Sequence, residues 1–292
     1  VNAGKAETGS AGIALAVKHR TVFFYSGAVR NSVNTLHLEP RNFPFQRTLS
    51  AFIKVIPATR LRRFDDLFGN VTHEFELSGE HTKLQIESLV KVRNLPLYIT
   101  DRGYSEGMIF YDDPVIRELC WQYLLESRWI SLPPEIWRQA LDLTIAEDAV
   151  FEKAAAIMRW IYAEFTYEPG TTNVETHLEQ AFALRKGVCQ DFSHVMIGMC
   201  RAIGLPARYA SGYILTGSGE SLVGAQASHA WCEVHLPEAG WIGFDPTNAV
   251  LADQRYVKIA VGRDYGDVAP ILGSYMGGAG CRMEVEVSVE RL

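Results

Sequence analysis

The sequence predicts an α+β protein in two units: an N-terminal antiparallel β-sandwich over residues 13–95 and a unit of helices packed on an antiparallel sheet over 105–292, after a flexible tail at 1–12. Three observations carry this. Residues 13 to about 93 hold short β-branched and aromatic runs, several of which alternate at period two. Near residue 95 the pattern changes to helical spacing behind Pro and Gly punctuation, and beyond Pro206 strands return. A chain of 292 residues with 48% hydrophobic content is long enough to bury two cores.

In the first unit Val71, His73, Phe75 and Leu77 alternate with Thr72, Glu74 and Glu76, and Leu84, Ile86, Val90 and Val92 alternate with polar neighbours. TVFFYSG at 21–27 and TLSAFIKVI at 48–56 read as further strands, separated by the turn stretches NSVN and EPRNFPF. His19, His37, His73 and His81 occur singly. Without the shared spacing a ligand set needs, they read as structural or surface histidines.

Three helices are expected next, in DDPVIRELCWQYLL, PPEIWRQALDLTI and AVFEKAAAIMRWIYAEF, each with a proline or an acidic residue in its first turn. Trp121, Trp129, Trp137 and Trp160 lie in or beside them and read as core or interface packing. The chain then runs through THLEQAFALRKG into GVCQDFSHVMIGMCRAI, where Cys189, Phe192, Met196, Met199, Cys200 and Ile203 share a helical stripe and Asp191 and His194 point away from it, outward. After that come ARYASGYIL, the Gly/Ser-rich loop TGSGESLVGAQ, a hairpin formed by SHAWCEVHL and WIGFDPT around PEAG, and a final alternating strand, CRMEVEVSVERL.

Composition excludes several function classes. A net charge of -6 with no dense Lys/Arg run argues against nucleic acid and anionic membrane surfaces as partners. No apolar run reaches the roughly 18 residues of a membrane helix, and the first residues lack the pattern of a secretory signal. The five cysteines, at 120, 189, 200, 232 and 281, are odd in number and widely spread, which points to a reducing, cytoplasmic location rather than a disulfide framework. Cys120, Cys200, Cys232 and Cys281 read as small core residues. Cys232 and His235 fall on opposite strand faces and no C-x-x-C pair occurs, so no zinc site, and no cofactor, is expected.

Cys189 heads its helix, where free backbone N–H groups and the helix dipole favour a thiolate. On the strand SHAWCEVHL, His229, Trp231, Glu233 and His235 share one face, and the hairpin brings Asp245 at the end of its second strand toward His229. Thiol catalysis needs these parts: a nucleophile, an imidazole to move its proton, and a carboxylate to hold the imidazole. A buried core cysteine and a turn aspartate before Pro246 are the competing readings.

GVCQDFSH, SHAWCEV and GWIGFDPTN, in that order, resemble the cysteine, histidine and aspartate motifs of the transglutaminase-like superfamily, whose core is papain-like. FTYEPGTT, LPARYASGY and GRDYGDVAP resemble connecting motifs of its bacterial branch, and HRTVFFYSGAV, LHLEP and DDLFGN its N-terminal β domain. The resemblance implies Cys189 as nucleophile, His229 as base and Asp245 as orienting acid. For the oxyanion it leaves the Cys189 backbone N–H with Tyr167 or Gln190. Trp231 and Tyr265 are further cleft candidates, the latter within the loop Arg263, Asp264, Tyr265 and Asp267, which serves equally as a hydrogen-bonded turn. No acidic calcium loop is present. The expected function is thiol acyl transfer on a peptide or protein substrate, with hydrolysis of peptide, isopeptide or amide bonds favoured. Amine transfer of the transglutaminase type and a non-catalytic binding module on the same fold are the alternatives.

Overall fold

The computed structural model describes residues 12–100, 104–216, 222–223, 228–237, 239–277 and 280–292. The expected tail therefore lies outside the described residues except for Gly12, and so does most of the TGSGESLVGAQ stretch.

The long strand β1 (Ile13–Glu39) is the axis of the first unit. Its first half pairs antiparallel with β5 (His81–Asn94) and β14 (Cys281–Arg291), and its second half with β4 (Val71–Leu77) and β13 (Ile271–Gly277). β2 (Gln46–Ile56) extends the sheet beyond β5, and β3 (Arg62–Asp65) beyond β4. The β1–β5 register breaks between Phe24 and Val29, and Asn31 takes a φ of 49°. NSVN is thus a bend inside one strand and not the turn expected from its residues. Asn tolerates left-handed φ, so the strand changes direction without leaving the ladder. Leu36, Phe75, Leu77, Leu84 and Ile86 from the two halves meet in one buried cluster. The sandwich is a single sheet folded on itself.

β13 and β14, assigned from sequence to the second unit, pair with the first sheet instead. Leu15 stands opposite Arg291 and Tyr25 opposite Cys281. Alternation in CRMEVEVSVERL signals a strand but carries no address for the sheet it joins, which distant partners decide. Cys281 is exposed there, contrary to its reading as a core residue, whereas Cys120, Cys200 and Cys232 are fully buried. All four isolated histidines are buried with partners: His19 on Tyr213 and Thr21, His37 on the Ala269 carbonyl, His73 beside Glu39, and His81 on Ser32.

The second unit is built on a five-stranded antiparallel sheet in the order β11–β10–β9–β8–β12, formed by Val250–Leu251, Gly240–Asp245, His229–Leu236, Ala207–Ile214 and Tyr256–Gly262. The cysteine helix, Cys189–Ala202, lies across β9 and β8, and the helices Pro134–Thr144, Val150–Glu164 and Leu178–Leu184 pack against its other sides. Every residue from Cys189 to Arg201 is consequently buried, including Asp191 and His194, which the stripe pattern had facing outward. A helix enclosed by a sheet and three helices has no wet face to leave them on. Trp129 is buried and Trp160 packs on the core, but Trp121 and Trp137 are 58% and 44% exposed. Helix Pro134–Thr144 buries Ile136, Ala140 and Thr144, and Trp137, one residue past Ile136, is rotated away from that face.

β12 is an edge strand, and the first unit completes its ladder with side-chain amides. Gln46 accepts from the Lys258 N–H at 2.8 Å and donates to the Lys258 carbonyl at 2.7 Å, Asn70 does the same to Val261 at 2.8 Å each, and Asn94 donates to the Tyr256 carbonyl at 2.9 Å. Leu15, Val17, Val90 and Val92 of the first sheet share a buried cluster with the cysteine helix. The two units thus have a common core. No helix among the described residues is long and apolar enough to cross a membrane.

Candidate active site

A two-stranded parallel pairing sets the entry to the cysteine helix. Thr166–Tyr167 runs beside Lys186–Gly187 with Tyr167 opposite Gly187, and the Glu168 N–H donates to the Gly187 carbonyl at 2.9 Å. Asp191, at the third position of the helix, accepts from the Val188 N–H at 2.8 Å and from the Thr172 hydroxyl at 2.7 Å. It closes the first turn from within, since Val188 has no side-chain acceptor of its own. Gly187 has a φ of +156°, and a Cβ built there would stand 2.4 Å from an Asp191 carboxylate oxygen. Gly187→Ala is expected to cost about 1–3 kcal/mol and to disorder the Cys189 turn, read as a lower urea midpoint together with slower alkylation of Cys189.

Across from the helix head, His229 Nε2 donates to Asp245 Oδ2 at 2.8 Å, both side chains being fully buried. The last paired residues of the hairpin are Phe244 and Cys232, so Asp245 reaches His229 along the diagonal of the strand pair. Asp245 is held from every side: Oδ2 also accepts from Asn248 Nδ2 at 2.7 Å and from the Tyr256 hydroxyl at 2.7 Å, and Oδ1 accepts from the Thr247 N–H at 2.8 Å. His229 Nδ1 is buried with no hydrogen-bond partner among the described residues, and the Cys189 sulfur is the other group acting on the ring. Burial opposes a charge on His229, but the Asp245 carboxylate and then Cys189 outweigh it and hold the imidazole up at about 10. Burial opposes the Asp245 charge in the same way, yet His229, Asn248 and Tyr256 keep that carboxyl below its usual range. Trp231 stacks on His229 at 6.3 Å between ring centroids and 23° between planes, fixing the imidazole against rotation.

The weaker sequence candidates separate here. Tyr167 sits beside the site: burial, followed by the charges of Cys189 and Asp191, pushes its hydroxyl up to about 12, so it stays a proton-bearing donor. Gln190 is committed elsewhere, donating to the Val174 carbonyl at 3.2 Å. Tyr265 lies one layer out. Its N–H donates to His194 Nε2 at 3.1 Å and its ring meets Tyr209 and Trp129. The surrounding loop is a hydrogen-bonded turn, with Arg263 on Asp267 at 2.9 Å and Asp264 accepting from the Gly266 N–H at 2.9 Å. His194 is a neutral packing residue, since burial drives it down to about 3. Cys232, where the motif resemblance leads one to expect an aliphatic residue, is buried against Cys200.

Asn248 and Tyr256 were not singled out from sequence. Asn248 was legible in principle, as an Asn three residues after an Asp in a Pro-containing turn. Tyr256 belongs to a strand on the far side of the sheet, and nothing local to it marks its contact with Asp245.

Comparison with known proteins shows the family. Residues 138–246 match the core of the transglutaminase-like superfamily, and residues 15–93 match the bacterial transglutaminase-like N-terminal region. An uncharacterised protein of Mycobacterium leprae is 32% identical over 291 residues, covering 94% of this chain and 98% of its own length. A protein-glutamine gamma-glutamyltransferase of Pseudomonas aeruginosa is 34% identical over 107 residues, 35% of this chain and 16% of that protein. A crystal structure from Cytophaga hutchinsonii, called a "putative cysteine protease", has the same fold, with a TM-score of 0.79 at 24% identity over 97% of this chain and 92% of that one. By its sequence matches, its fold and the order of its motifs, the chain belongs to the transglutaminase-like superfamily, with the bacterial N-terminal region ahead of the core.

Proposed function

We propose that the chain is a thiol acyl-transfer enzyme that hydrolyses peptide or amide bonds in a peptide or protein substrate. The observation that carries this is the buried imidazole of His229, hydrogen-bonded through Nε2 to the Asp245 carboxylate, which favours its protonated form, while Nδ1 has no partner among the described residues and is left for the Cys189 sulfur. His229 takes up the Cys189 proton. The thiolate attacks the amide carbon, forming a C–S bond. His229 gives its proton to the departing amine nitrogen, the C–N bond breaks and a thioester remains. The now neutral imidazole takes a proton from water, whose oxygen attacks the thioester, and the thiolate leaves with the proton back on His229. Asp245 stays ionised throughout and fixes the ring. The Cys189 backbone N–H and the Tyr167 hydroxyl are the donors for the carbonyl oxygen, with Tyr167 acting from the strand opposite Gly187. Tyr167→Phe is expected to lower kcat by about 10- to 100-fold with little change in KM, as steady-state kinetics would show.

The test is product analysis by mass spectrometry after incubation with peptides in heavy-oxygen water containing a primary amine. New carboxyl termini carrying the heavy oxygen support hydrolysis. Amine incorporated in place of that oxygen supports the second reading, transfer to an amine, which the P. aeruginosa relative's name favours. No product with either nucleophile, together with an inert Cys189, would reduce the protein to a binding module. We also propose a cytoplasmic location, which the odd number and wide spread of its five cysteines support. Fractionation that recovers it outside the cytoplasm would reverse this.

pH dependence follows from the His229–Asp245 pair. His229 is raised from 6.5 to about 10, so its contribution to stability is complete below pH 6.5 and is lost as pH rises through about 10. Asp245 is lowered from 3.8, so its contribution is present above that value and lost as pH falls through its native one. The urea midpoint of the native protein is expected to exceed that of His229→Gln most clearly between pH 4 and 6.5, and the difference to close toward pH 10.

A further inference from the structure

On the face of the second sheet turned away from the cysteine helix, a cavity of 440 Å³ opens between the two units. Its charged wall is unbalanced. Glu233 is buried and accepts from Arg208 at 2.7 Å and from Lys258 at 2.5 Å, and a third cation, Arg41, reaches in from the first unit. Burial and the charges of Arg208 and Arg41 pull Lys258 below its usual range against the attraction of Glu233. Asp253, the other carboxylate on the wall, is taken up by Arg255 at 2.8 Å. The remaining wall is aromatic. Arg208 lies 4.2 Å over the ring of Trp241 and 5.9 Å over that of Tyr123, and Lys258 lies 4.3 Å over that of Phe43, so the cations are stacked on π-faces of the cavity wall. Two donors of lining residues are buried without partners, Arg41 Nε and the indole Nε1 of Trp231, and Trp231 itself is 1% exposed. Buried donors are ordinarily satisfied, and these two stand beside a cationic excess among the lining residues.

The cavity also shares two walls with the candidate active site. Trp231 stacks on His229, and Tyr256 donates to Asp245. Neither Cys189 nor His229 lines it. We propose that this interdomain cavity binds a small molecule carrying a carboxylate or phosphate on an apolar body, and that Trp231 and Tyr256 transmit its occupancy to His229 and Asp245. The anion takes its bonds from Arg41, with the charges of Arg208 and Lys258 beside it, while the body lies against the aromatic wall of Phe43, Tyr123 and Trp241. The coupling half of this inference rests on the catalytic reading above; the binding half does not.

Calorimetric titration of the full chain with 3-phenylpropionate, phenyl phosphate and the neutral 3-phenylpropanol tests the binding. At least one anion is expected to bind, the neutral alcohol at least about tenfold more weakly, and Arg41→Gln to weaken the anion by about tenfold. Among the described residues Arg41 makes no ion pair, so that variant keeps the Glu233 cluster whole. The better of the two anions separates a carboxylate from a phosphate preference. Equal binding of the neutral probe, no binding of either anion at millimolar concentration, or an unchanged affinity in Arg41→Gln would overturn the site. The rate of Cys189 alkylation, measured with and without a saturating anion, tests the coupling. A change of about twofold or more supports it, and an unchanged rate overturns it. Failure of the catalytic reading would appear instead as absent turnover with the binding isotherm intact.

Discussion

His229→Ala is expected to lower turnover by about 10⁴-fold or more, with the chain still folded. Removing the ring takes away the acceptor of the thiol proton and the donor for the leaving amine at once, so both half-reactions stop. Asp245 loses one of its partners but keeps Asn248, Tyr256 and the Thr247 N–H, which limits the damage to the fold. Alkylation separates a chemical loss from a structural one. Cys281 is exposed on β14, far in sequence from the site, and serves as an internal standard, while Cys120, Cys200 and Cys232 are fully buried. At pH 6 native Cys189 is expected to react well ahead of Cys281 and to fall to or below it in the variant. Equal rates for Cys189 in both proteins would remove His229 from the mechanism.

The largest effect on stability is expected from Glu233→Gln. Arg208 and Lys258 would then stand as two like charges, 8% and 14% exposed, with no carboxylate between them. Breaking a buried ion pair from one side costs about 3–5 kcal/mol, because the partner left behind remains desolvated. For a chain of this size that corresponds to a fall in Tm of roughly 10 °C. The variant is also informative about the interdomain cavity: with the carboxylate gone, added 3-phenylpropionate or phosphate should recover part of the lost Tm. A variant as stable as the native protein would show that water reaches this cluster freely.

Both the fold and the candidate site were legible in the sequence to different depths. Cys189, His229 and Asp245 could be singled out because each sits at an element terminus whose geometry follows from local pattern: a helix head, a strand start, and a strand end before proline. The pairing of His229 with Asp245 followed from hairpin topology, since both strands are neighbours in sequence. What pattern could not supply was anything fixed by distant partners. Asp191 and His194 lie off the apolar stripe, and only the three helices packed around theirs make that side buried as well. NSVN has turn composition, and only the partners on both sides of β1 keep it within the strand. Tyr256 reaches Asp245 from a strand the hairpin does not include. Glu233 was placed on the His229 face by alternation, but its two cations come from β8 and β12, and Arg41 comes from the other unit.

The pairing of β1 with β14 bears on how the protein is made. β1 leaves the ribosome well before β14, the strand that covers its outer edge with Leu15 opposite Arg291. At about 5–20 residues per second, that edge is open for tens of seconds in every round of synthesis. During this interval β5 can cover one side of β1, while the other offers free N–H and C=O groups to any nascent strand nearby. Closure of the first unit therefore cannot precede synthesis of the second. A ribosome that stalls inside the second unit would release a chain with an aggregation-prone edge, giving quality-control chaperones a larger part in the yield of this protein than its native stability would indicate.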